Sequence, residues 1–329
     1  MRRLLPLLFL PFLLTTNSAE ACLPSGEMDN LAIYLVNQKP QMKKLCNWCL
    51  GSALLTESAI QSYDPTTGKI TLTKNGSKQF KKSLRQLGGK DKVMGRRFAF
   101  IAQGRIAFTG TLVRSTMSRS LTSPVINLDD KALQILPSYP NIDAEKKALP
   151  MPVNLKRALL FKEITDRFKG QLKEELKKSA FSEKDPEKIA KLAKTSSDPN
   201  FYRAAPLALI FGKRNNKTFE NIMSMLKQGQ DSQQRINAAL ALVQYGVCTY
   251  NEQKKEFKDY LNHSLISSGS KTLLATVALA VALCHDKDSV RLITKVQSQF
   301  KDNETIDLVL RYLKTSSKFS SPYRFGGSH

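Results

Sequence analysis

An alanine-rich apolar segment recurs three times in the C-terminal half. Ala205-Pro206-Leu207-Ala208-Leu209-Ile210-Phe211-Gly212 is echoed by Ala238-Ala239-Leu240-Ala241-Leu242-Val243, and again by Ala275-Thr276-Val277-Ala278-Leu279-Ala280-Val281. The offsets are about 33 and then about 37 residues. A helix apolar on every side must be buried, and alanine lets its neighbours approach closely. Charged segments alternate with these runs, at residues 219–226, 252–261, 290–300 and 307–313. Such alternation is what stacked helix pairs require, since one helix of each pair lines a continuous core and the other covers it. An ordinary helical bundle with coincidentally similar helices is the competing reading.

The stretch before the recurring helices is also helical. Leu155, Leu159, Leu160, Ile164, Phe168, Leu172 and Leu176 recur every three to five residues, which predicts a long amphipathic helix with Asn154 as its cap. A shorter helix follows at 186–194. Pro137, Pro140, Pro150 and Pro152 mark a linker over residues 137–152.

The N-terminal half reads differently. Asp64-Pro65-Thr66-Thr67-Gly68 is a turn, and Lys69-Ile70-Thr71-Leu72-Thr73 alternates as a strand does. A helix is expected over 77–87, with Phe80, Leu84 and Leu87 on one face. Residues 97–112 form a hairpin pattern about Gln103-Gly104, and 123–128 is a further strand that Pro124 would place at a sheet edge. The apolar segment 31–36 and the stretch 45–50 are read as short helices.

Arg2 and Arg3, the apolar run 4–14 and Ala19-Glu20-Ala21 form a secretory signal, so the mature chain is expected to begin near Cys22, outside the cytosol. Five cysteines then leave one over. Cys46 with Cys49 and Cys248 with Cys284 are the candidate disulfides. Cys22 is a candidate lipidation site, or a partner for the Cys46-Asn-Trp-Cys49 motif. That motif also suits a thiol–disulfide enzyme, but no strand pattern leads into it. Of three histidines, only His285 lies beside a nucleophile and a carboxylate, and consecutive residues cannot line up Cys284, His285 and Asp286. No glycine loop for phosphate, carboxylate cluster for metal or serine elbow is present, so neither a cofactor nor a catalytic residue is expected.

The chain's net charge of +23 favours an anionic partner. Half of it is concentrated: thirteen Lys and Arg face the single Asp91 over residues 69–128. Lys78, Lys81, Lys82 and Arg85 share one face of the predicted helix, and with Arg96 and Arg97 they are the candidate binding residues. A reader of nucleic acid would add exposed aromatics, whereas Phe98, Phe100 and Phe108 sit at positions that look like core.

Leu72-Thr73, Gly76-Ser77 and Phe80, followed by Gly95-Arg96, Ala99-Phe100-Ile101, Gly104 and Ile106, resemble the head part of the periplasmic domain of SecD, the membrane subunit that assists protein export. The likeness spans about 60 of 329 residues and rests on turns, one helix and a hairpin. The family's proline after the hairpin strand is absent, with Thr109-Gly110-Thr111 in its place, and the spanning segments of SecD have no counterpart. The resemblance implies a head-like α+β subdomain that contacts extended or unfolded polypeptide, without a translocase motor. The Ala-rich helices resemble HEAT-type repeats.

The expected fold class is therefore α+β: a small basic head-like domain followed by an all-α helical-repeat domain. Its parts are a signal peptide (1–21), a cysteine-containing segment (22–63), the head-like domain (64–136), a linker with charged helices (137–197), the repeats (198–315) and a tail (316–329). The expected function is that of an exported, periplasmic or secreted, non-enzymatic scaffold engaging an acidic protein or an anionic envelope component. A thiol–disulfide oxidoreductase and an extracytoplasmic nucleic-acid binder are the alternatives.

Overall fold

The computed structural model describes residues 30–36, 50–130, 132–140, 149–179, 181–212, 215–245, 251–284, 286, 288–299 and 303–315. The chain is a mixed α+β fold, with a mixed sheet and eleven helices among the described residues. β1 (Leu31–Val36) and β2 (Leu50–Leu55) lead through a 3-10 turn at Glu57–Ala59 to β3 (Ile60–Tyr63) and β4 (Ile70–Leu72), which pair as a small separate sheet. α1 (Lys74–Gln86) and the short α2 (Lys90–Val93) precede the hairpin of β5 (Arg97–Ala102) and β6 (Arg105–Val113). β7 (Val125–Asn127) and β8 (Ile135–Leu136) complete a six-stranded sheet of order β2-β1-β5-β6-β7-β8.

Residues 31–36 are a strand, not the short helix expected from sequence. β1 is buried on both faces: Leu31, Ile33 and Leu35 join one core, and Ala32 and Val36 join another. A strand covered on both sides reads as an unbroken apolar run, which periodicity cannot tell from a buried helix. β1 lies between β2 and β5, so the sequence division at residue 64 falls inside one sheet.

β7 is not the edge strand that Pro124 suggested. It runs parallel to β6, and β8 pairs outside it. Pro124 precedes the strand, where its missing N–H costs nothing, and its carbonyl accepts from the Thr111 N–H at 2.9 Å.

The remaining helices are α3 (Val153–Lys178), α4 (Pro186–Thr195), α5 (Pro199–Phe211), α6 (Asn216–Gln228), α7 (Ser232–Tyr245), α8 (Asn251–Ser267), α9 (Lys271–Leu283), α10 (Val290–Gln299) and α11 (Glu304–Thr315). The Ala-rich segments are α5, α7 and α9, and residues 274–282 of α9 are buried without interruption. Side-chain oxygens of Asp198, Asn215 and Ser270 cap α5, α6 and α9. Pro206, inside α5, has no N–H to offer the Tyr202 carbonyl; the buried Gln234 side chain donates to that carbonyl instead, at 3.1 Å.

Asn154 does not cap α3, which begins at Val153 after Pro152. Its amide donates to the Ala102 carbonyl at 3.3 Å, tying the helix to the hairpin turn. α3 packs against β5 and β6 at one end and against α5, α9 and α11 along the rest. No helix among the described residues is long and apolar enough to cross a membrane.

Candidate functional site

α1 is held by its first turn. The Thr73 hydroxyl accepts from the Gly76 N–H at 2.9 Å and donates to the Ser58 carbonyl at 3.2 Å. Glycine at 76 lets the helix approach the 3-10 turn, because a Cβ there would lie 2.2 Å from the Ala59 carbonyl oxygen. Leu84 is buried against the sheet, with Phe80 and Leu87 packed beside it. At about 100° per residue, Lys74, Lys78, Lys81, Lys82 and Arg85 fall on a single arc about 100° wide, opposite that anchor. All five are exposed, and none forms an ion pair with another described residue.

The other two candidates stand elsewhere. Arg96 and Arg97 are half-buried at the entry to β5, and the Arg97 guanidinium donates to the Thr109 hydroxyl at 2.8 Å. The structure therefore brings four of the six predicted residues onto one helix face, puts Arg97 at the start of β5 and leaves Arg96 just before it. Part of the basic cluster is also neutralised. Lys90 pairs with Asp129 at 3.3 Å, and Arg114 bridges Asp129 and Asp91. The Ser115 backbone N–H, helped by Arg114 and Lys90, holds the Asp129 carboxyl below the ordinary carboxylate range. Uncompensated charge is left on α1.

Phe98 and Phe100 are fully buried, and Phe108 stacks on Phe100 with ring centres 5.1 Å apart. These rings belong to the core and offer no face for base stacking.

Cys22, Cys46, Cys49 and Cys248 lie outside the described residues, as do His285 and His329. Cys284 is buried at the end of α9, its N–H bonded to the Ala280 carbonyl at 3.1 Å. Asp286 serves the fold: it is buried, accepts from the Ser289 hydroxyl and pairs with Lys258 at 2.7 Å. No group of three or more His, Cys, Asp and Glu able to hold a metal ion occurs among the described residues.

Sequence reasoning missed Arg157. It is almost fully buried on α3, its guanidinium carbon 5.6 Å from the centre of the Tyr312 ring. Its Nε makes no hydrogen bond with another described residue. Burial pushes the Tyr312 hydroxyl up to about 12, against the opposing pull of the Arg157 charge. The signal was present, because Arg157 falls on the helical stripe of Phe161, Ile164, Phe168 and Leu172.

Comparison with known proteins returns no matching family model, no matching characterised protein and no matching solved structure.

Proposed function

We propose that the chain is an exported, non-enzymatic binding protein that engages an anionic partner, an acidic protein or an anionic envelope component. In this reading a basic head-like α+β unit, like that of SecD, carries the contact, and HEAT-like helix pairs form its scaffold. The observation that supports it most directly is the face of α1. Five exposed cations stand there without an ion pair to another described residue, while Lys90 and Arg114 nearby are paired with Asp129 and Asp91. Near an anionic membrane each Lys or Arg contributes about 1 kcal/mol, and the effect decays over about 8 Å at physiological salt.

The test is binding of the full chain to phosphatidylglycerol vesicles and to poly-glutamate at 50 mM salt. The comparison is with the quadruple variant Lys78→Glu, Lys81→Glu, Lys82→Glu, Arg85→Glu. Binding to either probe, lost in the variant and weakened steeply by salt, is expected. Equal binding by the variant, or none by the wild type to either probe, would end this reading.

A further inference from the structure

The hairpin of β5 and β6 ends against the first turns of α3, and the join is polar. Ala102 pairs with Arg105, so Gln103 and Gly104 form a two-residue turn, with φ of +50° and +66°. Positive φ at both positions is the type I′ pattern, in which asparagine, aspartate or glycine usually comes first. Glutamine stands there instead, and it is only 3% exposed. The Gln103 N–H bonds to the Asn30 carbonyl at 2.9 Å, and the Asn30 side chain donates to the Ala158 carbonyl at 2.9 Å. Asn154 donates to the Ala102 carbonyl at 3.3 Å. These bonds bring the Gln103 backbone to the turn of α3 that carries Arg157.

Both side chains hold donors that find no acceptor. Arg157 is 2% exposed, and neither its Nε nor the Gln103 Nε2 bonds to another described residue. The two bear on the same hydroxyl: burial pushes Tyr312 up to about 12, and Arg157 and Gln103 both pull against that rise. A guanidinium stays protonated, so this charge cannot be shed as that of a buried lysine can. No carboxylate of a described residue pairs with it. The acid of this network, Glu57, accepts from the Asn30 N–H at 2.8 Å instead. The Tyr312 ring offsets part of the charge, but at 5.6 Å the contact stands near the limit of about 6 Å for such an interaction. Buried polar groups without a protein partner are commonly satisfied by a water or an ion. Only an anion would meet the buried charge as well as the two N–H groups.

The surroundings limit its size. Neither residue lines the cleft of about 560 Å³ beside α11 or that of about 370 Å³ at the end of α3. A ligand much larger than a water would have to part the hairpin from α3 and break the Asn30 and Asn154 bonds.

We infer that Arg157 and Gln103 hold one small monovalent anion, of halide size, at the seam between the hairpin tip and α3. One wall of the site is a turn of the hairpin and the other is a turn of the helix, so the ion binds only while the two are docked. The site lies on other elements than α1 and does not depend on the reading of its basic face.

The probe is the halide itself. Thermal unfolding of the full chain is followed in sodium chloride, sodium bromide and sodium gluconate at equal ionic strength; screening is then constant, and gluconate is too large for the site. A hundredfold excess over the dissociation constant favours the folded state about a hundredfold, which raises the melting temperature by roughly 5–10 °C. Chloride and bromide should give a rise of this kind that saturates with concentration, and gluconate should not. Arg157→Met removes the charge and keeps an unbranched side chain, so halide and gluconate should then give one melting temperature. Gln103→Met, on the opposite wall, should move the halide midpoint at least threefold upward. The quadruple α1 variant should keep the full dependence, which separates this site from diffuse attraction to the basic face. Crystals grown in bromide should show an anomalous peak between Arg157 and Gln103, a result that needs no variant to fold. The inference falls if halide and gluconate act alike on the wild type, if the rise does not saturate, or if Arg157→Met retains it. It falls also if the seam holds only water, or if bromide occurs at the molecular surface as an adventitious ion only.

Discussion

Gly76→Ala tests how α1 is mounted, and its sign is the informative part. Alanine in place of glycine within a helix ordinarily stabilises by up to about 1 kcal/mol. Here the new Cβ would lie 2.2 Å from the Ala59 oxygen and 2.8 Å from the carbonyl carbon and Cα of the same residue. All three are backbone atoms, and both sides of the contact are pinned. The Ala59 N–H bonds to the Thr56 carbonyl, and the Ala59 carbonyl accepts from the Thr73 N–H, each at 3.0 Å. Relief requires α1 to withdraw by roughly 1 Å, so the upper end of the usual overpacking cost, about 3 kcal/mol, applies. Subtracting the helix gain leaves a net loss of about 2 kcal/mol. At roughly 2–4 °C per kcal/mol for a chain of this class, the melting temperature should fall by about 4–8 °C.

Gly170→Ala is the internal control. Gly170 is an exposed position inside α3, and a Cβ there would meet nothing within 4 Å. It should gain up to about 1 kcal/mol. Thermal unfolding followed by circular dichroism, with urea midpoints as a second measure, reads both variants. If Gly76→Ala matches or exceeds the wild type, or moves in the same direction as Gly170→Ala, the close seating of α1 on the 3-10 turn is wrong.

Three further outcomes follow from the packing. Asp286→Ala removes the carboxylate that Lys258 and Ser289 share; because the Lys258 side chain is 26% exposed and can return to water, the loss should be about 2 kcal/mol by urea denaturation. The same pair has a pH signature: burial alone would lower the Lys258 pKa, but the hydrogen bond and charge of Asp286 outweigh it and raise it. The stability from this pair is therefore fully present below the ordinary lysine value and is lost as pH rises through the elevated one, so the gap between wild type and Asp286→Ala should narrow above about pH 10.5, leaving the share that the Ser289 hydrogen bond contributes. A gap unchanged at pH 11.5 would count against the assignment. Finally, calorimetry should show one cooperative transition, because α3 belongs to both cores; two well-separated transitions would refute a shared core.

What could be read in the sequence follows the range of the forces involved. α1 and its basic arc were legible because Lys78, Lys81, Lys82 and Arg85 repeat at the helical period opposite Phe80 and Leu84. The hairpin of β5 and β6 was legible from alternation about Gln103-Gly104, where Gln103 takes a φ of +50°. The Ala-rich helices were legible because close packing demands small residues. β1 was not, since burial on both faces erases alternation. β8 has two residues and α2 has four, too few for any period. The sheet order was hidden because β1 meets β5 across some sixty residues of sequence, and neither strand carries a mark of its partner. Within the candidate site, Arg97 was grouped with α1 on charge alone, although its bond to Thr109 belongs to the hairpin.

α3 contributes side chains to two cores. Its residues Leu155 and Ala158 belong to the core under the sheet, and Phe161, Ile164, Phe168 and Leu172 belong to the core among the helices. All lie on one uninterrupted helix of 26 residues. At the transition, Asn30 donates from beside β1 to the Ala158 carbonyl at 2.9 Å, and Arg157 lies against Tyr312 of α11. α3 buries side chains in two cores and accepts a hydrogen bond from the sheet side, so truncation at either end would strand apolar surface on the piece that remained. The sheet that carries α1 is thereby tied, through α3, to α5, α9 and α11.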